Sequence, residues 1–419
     1  MGAVLWFMGS LVAAVAADAP LPQIYLYPVK NLVAAKQCVA RNDPSIMAPY
    51  AQLMEEAHKA LLAKPESVMD KPLVAASGNK HDFFSYGPYW WPDPKKPDGL
   101  PYIKRDGHIY PKSKIGTDSV AFWHTCNNAQ ALAYAYYFTG REDYAKKAAE
   151  VIRVWFLNPE TAMNPSANYG QAIPGLINGR GEGVIEMRQL TRIPDAIALI
   201  ELSGAWTKDD RNAFRHWLEQ YYDWLTHIKL SIDETSMENN HMSWRDVQLV
   251  QFSLVLGKAD YARALLQQEM PRLLDMQVKS KGEQERELVR TDSLGYSLFN
   301  LEALFRLAIL GDYVGVDYWK ITAKDGGGLY AALDYLAPYT DPGNPWPENE
   351  VKPADRKRLL PLLAQAYAQN KDIRYKGLLD KFCGDGDNEY HWRLFWPYDA
   401  PRFASDQPKG ATQPAATHP

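Results

Sequence analysis

From about Ser45 onward, apolar residues recur three and four positions apart over most of this chain, and Gly, Pro or capping residues interrupt the rhythm every fifteen to twenty-five positions, roughly. A chain so patterned must bury one stripe of each helix on its neighbours, and strand-like alternation is scarce. The pattern predicts helices over residues 117–137, 142–156, 183–202, 208–228, 243–256, 261–277, 285–310 and 353–368. Gly140, Gly204, Gly257 and Gly311 stand at expected helix ends, where a left-handed residue closes the last turn. Short gaps imply antiparallel hairpins. Gly140-Arg141-Glu142-Asp143-Tyr144-Ala145 is echoed by Gly257-Lys258-Ala259-Asp260-Tyr261-Ala262, each at a helix-to-helix turn. A row of hairpins hides its two open ends by closing into a ring. The expected fold is therefore all-α, an incomplete (α/α)n toroid of antiparallel helical hairpins; an irregular helical bundle fits the same periodicity.

With 46 Lys+Arg against 50 Asp+Glu, the net charge of −4 gives the molecule as a whole no attraction to nucleic acid or an anionic membrane. A polyanion has to be met by a local basic patch. The 13 Trp and 25 Tyr serve the core and suit a groove that stacks on sugar rings. Cys38, Cys126 and Cys383 fit neither a disulfide scaffold nor a zinc-ligand spacing; one bridge plus a free thiol is compatible with three. Residues 1–19 read as a signal peptide, with an apolar run at 3–16 and small residues at Ala14, Ala16, Ala17 and Ala19. No Lys or Arg precedes that run, which leaves a lipid-embedded anchor or a misplaced start as the other readings. No other segment is expected to reach transmembrane length, so the mature protein is expected free of the membrane, in the periplasm or outside the cell. One catalytic domain is expected over 20–404, followed by a disordered tail at 405–419 rich in Pro, Ala and Thr.

Two long stretches break the helical rule. Residues 81–114 carry six prolines and a dense set of aromatics, among them Tyr89, Trp90, Trp91, Tyr102 and Tyr110, which offer stacking platforms for sugars. Residues 159–181 are similarly polar and hold Asn164, Tyr169 and Gln171; together with Arg188 and Arg192, four apart on the next helix, they are candidate ligands for sugar hydroxyls and carboxylates. Core packing and solvated faces are the ordinary uses of the same residues. The sharpest cluster is Glu238-Asn239-Asn240-His241-Met242-Ser243, just before an apolar helix: two amides and an imidazole at a positive dipole end can hold a carboxylate. Arg290 and Tyr296 lie six apart and face one space if Gly295 bends their helix. A guanidinium near that phenol is expected to lower its pKa from about 10.

Residues 86–106 (YGPYWWPDPKKPDGLPYIKRD), 155–175 (WFLNPETAMNPSANYGQAIPG), 239–248 (NNHMSWRDVQ) and 287–301 (ELVRTDSLGYSLFNL) together resemble the alginate lyase family of polysaccharide lyases. The closest likeness is to polysaccharide lyase family 38, whose members act on glucuronan or on mannuronate blocks of alginate. Met242 stands where family members often carry Gly. The resemblance implies an α/α toroid that cleaves 4-linked uronic acid polymers by β-elimination, without metal or other cofactor. It further implies that Asn240, His241 and Arg290 neutralise the uronate carboxylate while Tyr296 protonates the leaving oxygen. Where the C5 proton and the C4 oxygen lie on one side of the ring, Tyr296 can also take the proton; His241 is the rival base, reached from the opposite face in an anti elimination. Two other classes compete. A glycoside hydrolase on the same architecture would draw two carboxylates from Glu182, Glu186, Asp195, Glu238 and Asp246. A non-catalytic uronate-binding protein would release no new chain ends. The scattered histidines show no zinc spacing, and a structural calcium remains compatible with the sequence.

Overall fold

The computed structural model describes residues 21–227, 238–382 and 392–396. The expected signal peptide, the expected tail and Cys383 lie outside the described residues. Helices α1 (Val29–Ala40), α2 (Pro44–Leu62), α3 (Ser119–Thr139), α4 (Glu142–Phe156), α5 (Arg192–Ile200), α6 (Lys208–His227), α7 (Asn240–Val255) and α8 (Ala259–Gln277) are followed by a single turn, α9 (Glu285–Leu288). Then come α10 (Ser293–Asp312), α11 (Leu329–Leu336), α12 (Leu359–Asn370), α13 (Ile373–Phe382) and the turn α14 (Trp392–Phe395).

Burial sorts these helices into two layers. In α4 the buried residues Tyr144, Ala145, Ala148, Ala149, Ile152 and Trp155 form one stripe, and in α6 Phe214, Trp217, Leu218, Tyr221 and Leu225 form another. Helices α3, α7 and α10 bury side chains all the way round, as a helix must when it is ringed by others. Helix α3 packs on α2, α4 and α5, and α7 packs on α8 and α10. The result is an inner row of enclosed helices backed by an outer row, the expected α/α toroid. Gly140 (φ 69°) and Gly257 (φ 77°) adopt the left-handed conformation at their turns, so the echoed hexapeptides do mark equivalent hairpins. Gly204 is not left-handed, and Gly311 lies inside α10 against the Val316 carbonyl. Helix α10 is long and apolar enough to cross a membrane, contrary to expectation, but 78% of its apolar window is buried inside the protein, so its composition reflects the core.

Two expected helices are broken, and both breaks shape the cavity described below. The segment expected as one helix at 183–202 winds as a 3-10 helix over Gly181–Thr191 and becomes α-helical only in α5. Its cause is close backbone contact: a Cβ on Gly183 would sit 2.7 Å from the Gly170 Cα, which belongs to strand β4 (Tyr169–Ala172). That strand pairs in parallel with β1 (Phe84–Tyr86), while β2 (Trp90–Trp91) pairs antiparallel with β3 (Ile103–Lys104). The segment expected as one helix at 285–310 is interrupted between α9 and α10, with Arg290 in the gap.

The segment 24–27 runs across the helices. Asp195 of α5 accepts the Tyr25 and Leu26 amides, each at 2.8 Å. Arg306 of α10 donates to the Leu26 carbonyl, and the Tyr313 hydroxyl donates to the Tyr27 carbonyl at 3.2 Å. The Tyr27 ring lies 4.3 Å from that of Phe395 in α14. Cys38 and Cys126 are buried free thiols.

Candidate active site

A cavity of about 710 Å³ opens between the 81–114 segment, the 3-10 helix and the starts of α7 and α10. On one wall Asn239 caps α7, its Oδ1 accepting the His241 amide at 3.1 Å, so that His241 faces the cavity from the first turn. Asn240 is 1% exposed and is gripped from behind by Glu287 of α9. The Glu287 Oε1 accepts both the Asn240 backbone amide (2.7 Å) and Nδ2 (2.9 Å), and Oε2 accepts Nδ2 at 2.9 Å. Both side-chain donors of Asn240 are thereby committed, and its buried Oδ1 has no partner. Burial pushes the Glu287 carboxyl above the usual range, against the pull of Asn240.

Beside this wall Arg290 donates through Nε (3.0 Å) and Nη2 (2.8 Å) to the two oxygens of Asp106. Its guanidinium carbon lies 3.9 Å from the centre of the Tyr296 ring. The Tyr296 hydroxyl donates to the Tyr89 hydroxyl at 2.5 Å. Burial, and next the neighbouring Tyr89, push the Tyr296 phenol well above its ordinary value, so the expected lowering by Arg290 is present but outweighed. The guanidinium covers the ring face while two of its donors hold Asp106. Arg290 and Tyr296 meet across the gap between α9 and α10, so no bend at Gly295 is required.

Another wall is the 3-10 helix. With three residues per turn, Glu182, Ile185 and Arg188 form one row and Glu186 and Gln189 the next, and all five line the cavity. Glu186 accepts from the hydroxyls of Ser85 (2.6 Å) and Ser119 (2.7 Å). Gln171 has a positive φ of 50°, and its backbone carbonyl and Oε1 accept from Arg180 at 3.0 and 2.7 Å; Arg180 also pairs with Glu182. Lys104, Lys114, Arg180, Arg188 and Arg290 stand against Glu182 and Glu186 along the lining, so this is a basic patch in an acidic chain.

The family model for alginate lyase matches residues 67–346. A crystal structure of an alginate lyase from Bacteroides ovatus is 35% identical and superposes with a TM-score of 0.85 over 90% of this chain and 99% of that one. The chain belongs to the alginate lyase family. Membership implies polysaccharide lyase activity. Alginate lyase A1-III from Sphingomonas species A1, at 15% identity and a TM-score of 0.52 over 91% of this chain and 99% of that one, shares the toroid fold. So does A1-III complexed with tetrasaccharide, at 14% identity and a TM-score of 0.51 over 86% and 95%. No curated protein matches the chain.

In this alginate lyase family member the cavity gathers Tyr296, His241, Asn240, Arg290, Asn239, Gln171, Arg188 and Trp90. Four other sequence candidates are not part of its lining. Asn164 donates to Asp82 at 2.8 Å, Tyr169 sits in β4 opposite Phe84, Arg192 donates to Asn127, and the Trp91 indole donates to the His108 carbonyl at 2.8 Å. Of the five carboxylates, Glu182 and Glu186 line the cavity. Asp195 holds the 24–27 segment, Glu238 pairs with Arg286, and Asp246 is buried beside Arg245. Sequence reasoning missed Arg180, Lys114 and the half-exposed Trp123 as lining residues, and Asp106 and Glu287 as the supports of Arg290 and Asn240. Tyr89 was legible only as a stacking aromatic. Adjacent residue types carry no signal for these long-range pairings.

Proposed function

We propose that this alginate lyase family member cleaves 4-linked uronic acid polymers, glucuronan or mannuronate-rich alginate, by β-elimination, with kinship to polysaccharide lyase family 38. The observation that carries the reading is that His241, Arg290 and the Tyr296–Tyr89 pair share one basic cavity. The uronate carboxylate resists loss of the adjacent C5 proton, because the developing carbanion adds charge to a group already negative. Donors that bind the enolate-like transition state more tightly than the ground state lower that barrier. Arg290 supplies a fixed cation there, with Nη1 left over from its grip on Asp106. His241 takes the C5 proton, which in mannuronate and glucuronate lies on the same side of the ring as the leaving C4 oxygen. The C5–H electrons form the C4–C5 double bond, the C4–O bond breaks, and its electron pair leaves on the glycosidic oxygen. Tyr296, kept protonated by its surroundings, gives that oxygen its proton, and Tyr89 orients the phenol. No water enters the equation. Glu287 fixes Asn240, and with it the helix start that presents His241. The leader-like residues 1–19 support export to the periplasm or beyond.

Glu182 and Glu186 share the cavity, and that pairing favours a hydrolase as the second reading. One experiment tests both. Glucuronan, polymannuronate, polyguluronate and a neutral glucan are incubated with the protein, and ultraviolet absorbance is followed alongside new reducing ends. A double bond conjugated to the carboxylate absorbs, and a hydrolysed end does not. New ends without absorbance would establish the hydrolase and remove the lyase reading.

A further inference from the structure

Arg188 is a cation facing the cavity without a counter-ion. It donates from Nη1 to the Ile185 carbonyl at 2.8 Å, and its guanidinium lies 5.0 Å from the centre of the Phe299 ring. Among the described residues no carboxylate pairs with it. The two carboxylates in electrostatic reach are committed elsewhere. Glu302 holds Arg358 through two hydrogen bonds of 2.8 and 2.9 Å, and both oxygens of Glu186 are taken up by Ser85 and Ser119. Arg192, one α-helical turn further on, and Arg358 add like charge. Burial first, and then Arg192, pull the Arg188 pKa down to about 10, so the side chain stays charged at neutral pH in a place that disfavours charge.

A partly buried guanidinium left unpaired destabilises the empty protein, and an anion that meets it removes that penalty. The stacking on Phe299 and the bond to Ile185 fix the planar fork, so little freedom is lost when a carboxylate arrives. A polyuronate carries one carboxylate on every sugar. The reacting sugar is served by Arg290 and His241, whereas Arg188 comes from a separate element, the 3-10 helix, together with Glu186 and Gln189. We propose that Arg188 is the anchor for the carboxylate of a second uronate residue, one that does not react, and that it makes the enzyme selective for chains whose consecutive sugars are acidic. This rests on the lyase reading for the nature of the ligand, but its test does not require turnover.

The test uses R188M and R188K, each also in a Tyr296→Phe background that keeps the ligand whole. A mannuronate tetramer and a neutral glucan tetramer are titrated calorimetrically, kcat and KM are measured in the active background, and the melting temperature of the free protein is recorded. The expected result is a roughly ten- to hundredfold loss of tetramannuronate affinity in R188M, the size of a lost charge-assisted hydrogen-bond pair. R188K recovers part of it. The loss appears in KM more than in kcat, weak binding of the neutral tetramer does not change, and the free R188M protein melts at the wild-type temperature or above it. Unchanged affinity, an equal loss for the neutral tetramer, or a lowered melting temperature would each overturn the proposal. Wild-type protein that binds the acidic tetramer but forms no absorbing product would defeat the lyase reading alone.

Discussion

At the scale of single residues the two phenols decide the proton chemistry. A Tyr296 held well above pKa 10 is neutral throughout the physiological range and loses its proton only as pH rises past that raised value. As an acid it is therefore in its working form at neutral pH; as a base it would need strong alkali. The efficiency kcat/KM should accordingly not climb between about pH 8 and pH 10, and a steady climb there would assign the base to a phenolate in place of His241. Tyr296→Phe should lower kcat by roughly a hundredfold or more while oligouronate binding persists, as expected for the loss of general acid catalysis. Tyr89→Phe removes the acceptor of the Tyr296 proton and should cost roughly tenfold in kcat with the fold intact. The sequence made Arg290 and Tyr296 legible as neighbours. It could not show that the phenol is buried against Tyr89, 207 positions away, and that burial is why its pKa moves opposite to expectation.

At the scale of elements, the 3-10 helix is what periodicity could not reveal. Apolar spacing of three and four suits an α-helix, and the cause of the tighter winding lies outside the segment, in the contact of Gly183 with Gly170. An α-helix over 181–191 would spread Glu182, Ile185 and Arg188 around the axis; the 3-10 helix stacks them. Gly183→Ala drives a methyl group into β4 backbone and should destabilise the protein by about 1–3 kcal/mol, read as a lower melting temperature, together with a rise in KM as the wall shifts. The start of α7 was legible, because Asn239 is a cap residue before an apolar run. Asn239→Ala should lower stability by about 1 kcal/mol in a denaturant titration and reduce turnover through a loosened His241.

At the scale of the whole molecule, a chain of net charge −4 gathers five Lys and Arg against two Glu around one cavity. Capture of a polyanion by such a patch weakens as salt shortens the range of the field, so kcat/KM on long uronate chains should fall steadily between about 0.01 and 0.3 M ionic strength. The hairpin architecture was legible from helical rhythm and the two echoed hexapeptides. The route of residues 24–27 was not, because a four-residue extended segment has no periodicity. Asp195→Asn places an amide N–H against one of the two backbone N–H groups it now accepts, and should lower stability by about 1–3 kcal/mol in thermal unfolding. That segment also sets an order of events. Its partners are Asp195, Arg306, Tyr313 and Phe395, so residues 24–27 wait on the ribosome for residues made much later. Until Phe395 has been made, the hairpins already formed lack part of the clasp that ties α5, α10 and α14 together through this one segment.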